Sequence, residues 1–66
     1  MKAILTQQQA QQAIGALLSA PLAKHMMIYY DGVGIQKHAH AVTVFEAFGR
    51  KENYPSIEAM QMRYAL

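Results

Sequence analysis

The chain contains no cysteine, which excludes disulfide staples and thiolate metal centres together. No run of about 18 apolar residues occurs, so no segment reads as membrane-spanning. Charge is scarce as well: charged residues make up 15% of the sequence against 53% hydrophobic, a balance too apolar for disorder and low in charge for a globular domain. The amino terminus lacks a basic stretch leading into an apolar run and a small-residue cleavage site, so cytoplasmic residence is the expectation. The formal charge of +2 comes from Lys2, Lys24, Lys37, Arg50, Lys51 and Arg63 against Asp31, Glu46, Glu52 and Glu58. It falls short of a strong nucleic-acid footprint.

Catalytic patterns are missing too. Gly32-Val33-Gly34 leads into a strand-like run rather than a helix amino terminus, so it does not fit a phosphate loop. Ser19 and Ser56 lack an evident base, and no carboxylate pair lies close in sequence. The reading is a non-enzymatic protein that needs no cofactor.

What remains is a chain of 66 residues, room for one domain spanning 1–66. A domain this small buries only about 60% of its unfolded surface. Good packing or a partner subunit must replace the missing staples, and a homodimer is one expectation. Five methionines point to an adaptable core or a plastic binding surface.

Residues 1–5 read as a short extended lead-in, with a third strand as one option. Thr6-Gln7-Gln8-Gln9 fits a capping box and predicts a helix over 7–19, with Ala10, Ala13, Ile14, Leu17 and Leu18 as its apolar stripe. Its other face carries Gln7, Gln8, Gln9, Gln11 and Gln12 in place of the usual Glu and Lys. Burying amides costs less than burying ions, so this face is a second candidate interface beside the plain reading of a weakly solvated surface.

The run His25-Met-Met-Ile-Tyr-Tyr30, the Asp31-Gly32 turn signal and the run from Ile35 predict a β-hairpin. Strand is expected through Phe45. The pattern changes phase between Ala41 and Val42, which fits a bulge, while Ala41, Val44, Phe45 and Phe48 also fit a helix capped by Gly49. Residues 50–54 read as a polar connector. Pro55 and Ser56 open a final helix with two apolar rows, Ile57, Met60, Tyr64 and Ala59, Met62, Leu66. The expected fold is a small α+β domain in helix–β-hairpin–helix order, with both helices covering one face of an antiparallel sheet.

An even-length turn sorts the hairpin side chains into two faces. Met26, Ile28, Tyr30, Ile35, Ala39 and Ala41, with Lys37 intruding, form the core face. His25, Met27, Tyr29, Gln36, His38 and His40 form the other, and a four-residue loop places His25 opposite His40. Three imidazoles on one face raise a His₃ Zn²⁺ centre. No fourth ligand and no carboxylate to orient a ring lies nearby apart from Asp31 at the turn, so no metal site is expected. Tyrosine and methionine with little charge suit the core of a protein interface. Met27, Tyr29, Gln36, His38 and His40 are therefore the candidate partner-binding residues. The alternative is a small nucleic-acid-binding protein using Arg50, Lys51 and Arg63.

The strand–Asp-Gly–strand unit HMMIYYDGVGIQKHAHAVTV and the methionine-rich terminal segment IEAMQMRYAL give the layout a resemblance. It resembles the very small accessory proteins that phages and mobile elements encode, some anti-CRISPR proteins among them. The resemblance rests on layout and transfers no residue role. It implies a binder that acts by occupying a surface on a larger host complex, and the expected function is a protein-binding module of the phage-type inhibitor class, directed at a host defence (CRISPR-Cas-like) or regulatory complex.

Overall fold

In the computed structural model, which describes residues 3–20, 23–30, 32–47 and 49–66, the element order is α-β-β-β-β-α. Helix α1 spans Gln7–Leu18, strands β1 to β4 span His25–Tyr30, Val33–His38, Ala41–Glu46 and Lys51–Tyr54, and helix α2 spans Ile57–Arg63. The strands form one antiparallel meander in the order β1-β2-β3-β4.

Helix α1 begins where its capping box predicts. Thr6 Oγ1 accepts from the Gln9 amide at 3.1 Å and Gln9 Oε1 accepts from the Thr6 amide at 3.0 Å, satisfying two donors that would otherwise have no intrahelical partner. Ala10, Ala13, Ile14 and Leu17 are buried along one stripe, while Leu18 at its edge is exposed. In α2, Ser56 caps the helix by accepting from Ala59 N at 3.1 Å. Met60 and Tyr64 are buried, but Met62 and Leu66 of the second expected row face outward. Of the second row only Ala59 packs against the core.

The sheet has twice the strands expected. Residues 50–54, expected as a connector, supply β4, and residues 3–5 form no strand. Pairing with β3 overrides the weak strand propensity of Lys-Glu-Asn-Tyr. The β1–β2 register pairs Tyr30 with Val33, so the turn has two residues, with Gly32 at φ +82° in the left-handed region that glycine tolerates. Asp31 lies outside the described residues.

The phase change near residue 41 is neither a bulge nor a helix. It is a second tight hairpin: His38 pairs with Ala41 across Ala39-His40, and the chain reverses. Ala39 takes φ +56°, and its amide donates to the Lys24 carbonyl at 2.7 Å, tying the turn to the residue before β1. Strand β3 runs through Glu46, one residue past Phe45, and Phe48 lies outside the described residues.

Both helices lie on one face of the sheet. Its inner rows place Met26, Lys37, Val42 and Tyr54 side by side, then Ile28, Ile35, Val44 and Glu52. Ile35, Val42 and Val44 meet Leu17 and Met60 at the centre of the core. Lys37 reaches this core as expected from parity; it is buried, and its Nζ donates to the Ala23 carbonyl at 3.0 Å. Its methylene stem packs apolar surface while the ammonium finds an acceptor at the margin.

Candidate functional site

Among the described residues, no helix covers the opposite face of the sheet. Antiparallel pairing lays its side chains out in rows across the strands. One row is Tyr29, Gly34, Phe45 and Lys51, the next is Met27, Gln36, Thr43 and Asn53, and the third is His25, His38 and Ala41. Tyr29 is 69% exposed and Met27 43%. Gln36 and His38 are exposed beside them, and Phe45 is half-buried.

Phe45 gives this face its relief. Its ring lies directly over Gly34, where the Cβ of any other residue would collide with Cζ and both Cε atoms. Glycine thus provides a floor on which an aromatic ring rests, burying the Gly34 backbone between Tyr29 and Phe45. Beside this row, Thr43 Oγ1 donates to Asn53 Oδ1 at 3.0 Å across β3 and β4. An aromatic and methionine centre is therefore edged by short polar groups and by Lys51.

Of the five expected contact residues, Met27, Tyr29, Gln36 and His38 share this face. His40 does not. It occupies the β2–β3 turn and lines a cleft on the helix side with Leu18, Lys37, Ser56, Ile57 and Glu58. The two-residue β1–β2 turn also pairs His25 with His38 rather than with His40. Ala39 and Ala41 leave the core face because the chain reverses at the β2–β3 turn, which takes up Ala39 and sets Ala41 beside His38 on the open face. Phe45, Thr43, Asn53 and Lys51 join the face unannounced. The change of parity between Lys37 and Val42 was their one signal in the sequence.

Of the nucleic-acid reading's three residues, Arg50 and Arg63 both lie near enough to Glu52 to interact with its charge, while Lys51 stands on the other side of the sheet. Lys51 is on the open face, opposite in parity to Glu52. Arg50 pairs with Glu46, Nε to Oε1 at 2.8 Å. Arg63 stands 5.9 Å from the Tyr64 ring centroid and close enough to Glu52 to act on its charge. The glutamine face of α1 is also partly used within the chain. Gln7 Nε2 donates to the carbonyls of Tyr64 and Ala65, both at 3.3 Å, and Gln9 completes the cap, leaving Gln8, Gln11 and Gln12 exposed.

A cluster of perturbed titratable groups lies on the helix side among the described residues. Glu52 Oε1 accepts from Tyr54 Oη at 2.7 Å and from Tyr64 Oη at 2.8 Å, Oε2 accepts from the Ile4 amide at 3.4 Å, and the Leu5 amide donates to Tyr64 Oη at 3.2 Å. Burial pushes the Glu52 carboxyl up, but the two phenols, the Ile4 amide and the Arg63 charge together hold it below the usual carboxylate range. Burial and the adjoining carboxylate raise both Tyr54 and Tyr64 above the ordinary phenol range. The cluster is a charged acceptor held by neutral donors, and it fastens residues 4 and 5 to β4 and α2. With its carboxylate oxygens engaged inside the fold, it is a structural latch.

Comparison of the chain with protein-family models, with curated proteins and with solved structures returns no match.

Proposed function

We propose that the chain is a non-enzymatic protein-binding module that docks through the open face of its sheet. The carrying observation is that both helices pack on one side, which leaves Tyr29, Met27 and the Phe45 ring on the other as a ready-made aromatic centre. Large aromatic side chains bring contact area at small entropic cost, and the polar groups around them suit an interface rim. The scarcity of charge on this face supports a protein partner, since burial there strands few ions. Inhibition of a host defence or regulatory complex, by covering one of its working surfaces, is the fuller form of this proposal. It draws its support from the small size of the domain and from the resemblance in layout.

The test is partner capture with immobilised variants. Met27→Ser with Tyr29→Ser is expected to lose the partner that the unaltered chain retains while keeping its circular dichroism spectrum. Met62→Ser changes a still more exposed apolar residue on α2 and is expected to retain the partner. Retention by the sheet variant, or loss by the α2 variant alone, overturns the proposal. Self-association as the main use of the face would appear as a concentration-dependent dimer that the same double substitution abolishes, and would replace the foreign partner with a second copy.

A further inference from the structure

At one end of the open face, His25 and His38 stand directly opposite each other on β1 and β2. Their Nδ1 atoms are 3.1 Å apart and the ring centroids 4.7 Å, with the planes tilted by 47°. Two bare nitrogen lone pairs do not sit at that separation without something positive between them. A proton satisfies the requirement when one ring carries its hydrogen on Nδ1. A metal ion satisfies it equally well. Two Zn–N bonds of about 2.0–2.1 Å meeting at an angle between about 90° and 109° place the nitrogens about 2.9–3.4 Å apart. The observed separation falls inside that span.

We propose that His25 and His38 form a two-imidazole chelate for a divalent transition ion of the Zn²⁺ or Cu²⁺ class, with both Nδ1 atoms as ligands. Imidazole suits these ions and leaves Mg²⁺ and Ca²⁺, which prefer oxygen, unserved. The backbone holds the pair in place: both residues belong to paired strands, and the bond from the Ala39 amide to the Lys24 carbonyl closes the ladder just beyond them. Ala41, next in the row, is small, so the approach from solvent stays open. Metal entry needs no net loss of protons. The ring that carried hydrogen on Nδ1 passes it to solvent and takes one on Nε2, and both imidazoles stay neutral.

Among the described residues no group of three or more His, Cys, Asp or Glu side chains is placed to hold a metal ion. The remaining coordination positions therefore fall to water or to a donor from outside the chain. This inference concerns the isolated chain and stands apart from the docking proposal.

The experiment is calorimetric titration of the purified chain with Zn²⁺, alongside His25→Ala, His38→Ala and His40→Ala. The unaltered chain is expected to bind one equivalent. Removing either ligand is expected to weaken binding by at least the roughly 10- to 100-fold that loss of an outer-shell partner costs, and His40→Ala, in the turn, is expected to bind as the unaltered chain does. Substoichiometric Cu²⁺ should broaden the ring proton resonances of His25 and His38 before those of His40, a readout that requires no substitution. Absence of saturable Zn²⁺ binding overturns the proposal. So do unchanged affinity in either ligand variant, an equal loss in His40→Ala, and uniform broadening of all three histidines.

Discussion

Glu52→Ala tests how the amino-terminal segment is held. In the native fold the Glu52 carboxylate accepts from Tyr54 and Tyr64 at 2.7 and 2.8 Å, and Tyr64 Oη in turn receives the Leu5 amide. Hydrogen bonds to a charged group contribute about 1.5–3 kcal/mol each. Two of them sharing one oxygen do not add in full, and solvent reaching the edge of the cluster lowers the sum, so a loss of about 2–3 kcal/mol is expected. Against a total stability of about 3–10 kcal/mol for a domain of this length, that is a large fraction. Thermal melts should shift by about 4–8 °C per kcal/mol. Glu52→Gln keeps an acceptor oxygen and loses the charge, and should fall between the two. The carboxyl is held below its unfolded value, so its contribution is present above the unfolded pKa of about 4.3 and is lost as pH falls through the native one. Urea denaturation across acid pH should therefore show a decline in stability below about pH 4.3 that Glu52→Gln reduces. Equal midpoints for Glu52→Ala and the unaltered chain, with the same acid limb, would refute this reasoning.

Three further outcomes follow from the same contacts. Tyr54 and Tyr64 are raised in the fold, so stability should be intact below about pH 10 and fall as pH rises past the unfolded phenol value, and Tyr54→Phe should flatten that alkaline decline in a urea series. Gly34→Val should displace the Phe45 ring and cost about 1–3 kcal/mol as overpacking does, while Phe45→Ala with Gly34→Val should recover part of it in the denaturation midpoint. Leu17→Ala, fully buried in the last turn of α1, should cost about 2–5 kcal/mol and bring the domain near its unfolding threshold at room temperature.

The parts of the fold that were legible in the sequence are those where a local signal and the tertiary arrangement agree. Thr6 and Gln9 announce the start of α1, and Ser56 announces α2. Gly32 announces the first turn. The second hairpin was hidden because its turn is Ala39-His40, and alanine at φ +56° leaves no compositional mark. Strand β4 was hidden for the opposite reason. Its inward Glu52 looks like a solvent residue until Tyr54, Tyr64 and the Ile4 amide are seen to satisfy it. These two omissions explain the fate of the candidate site. Parity within the first hairpin placed Met27, Tyr29, Gln36 and His38 together, whereas His40 required the turn to be known. Phe45 required both strand partners, because only pairing with β2 lays its ring over Gly34.

The open sheet face is the central claim, and the most direct measurement is partner capture by Met27→Ser with Tyr29→Ser set against Met62→Ser on α2. Loss of the partner in the first, with a native circular dichroism spectrum, and retention in the second is the result predicted. Retention by the sheet-face variant would contradict it.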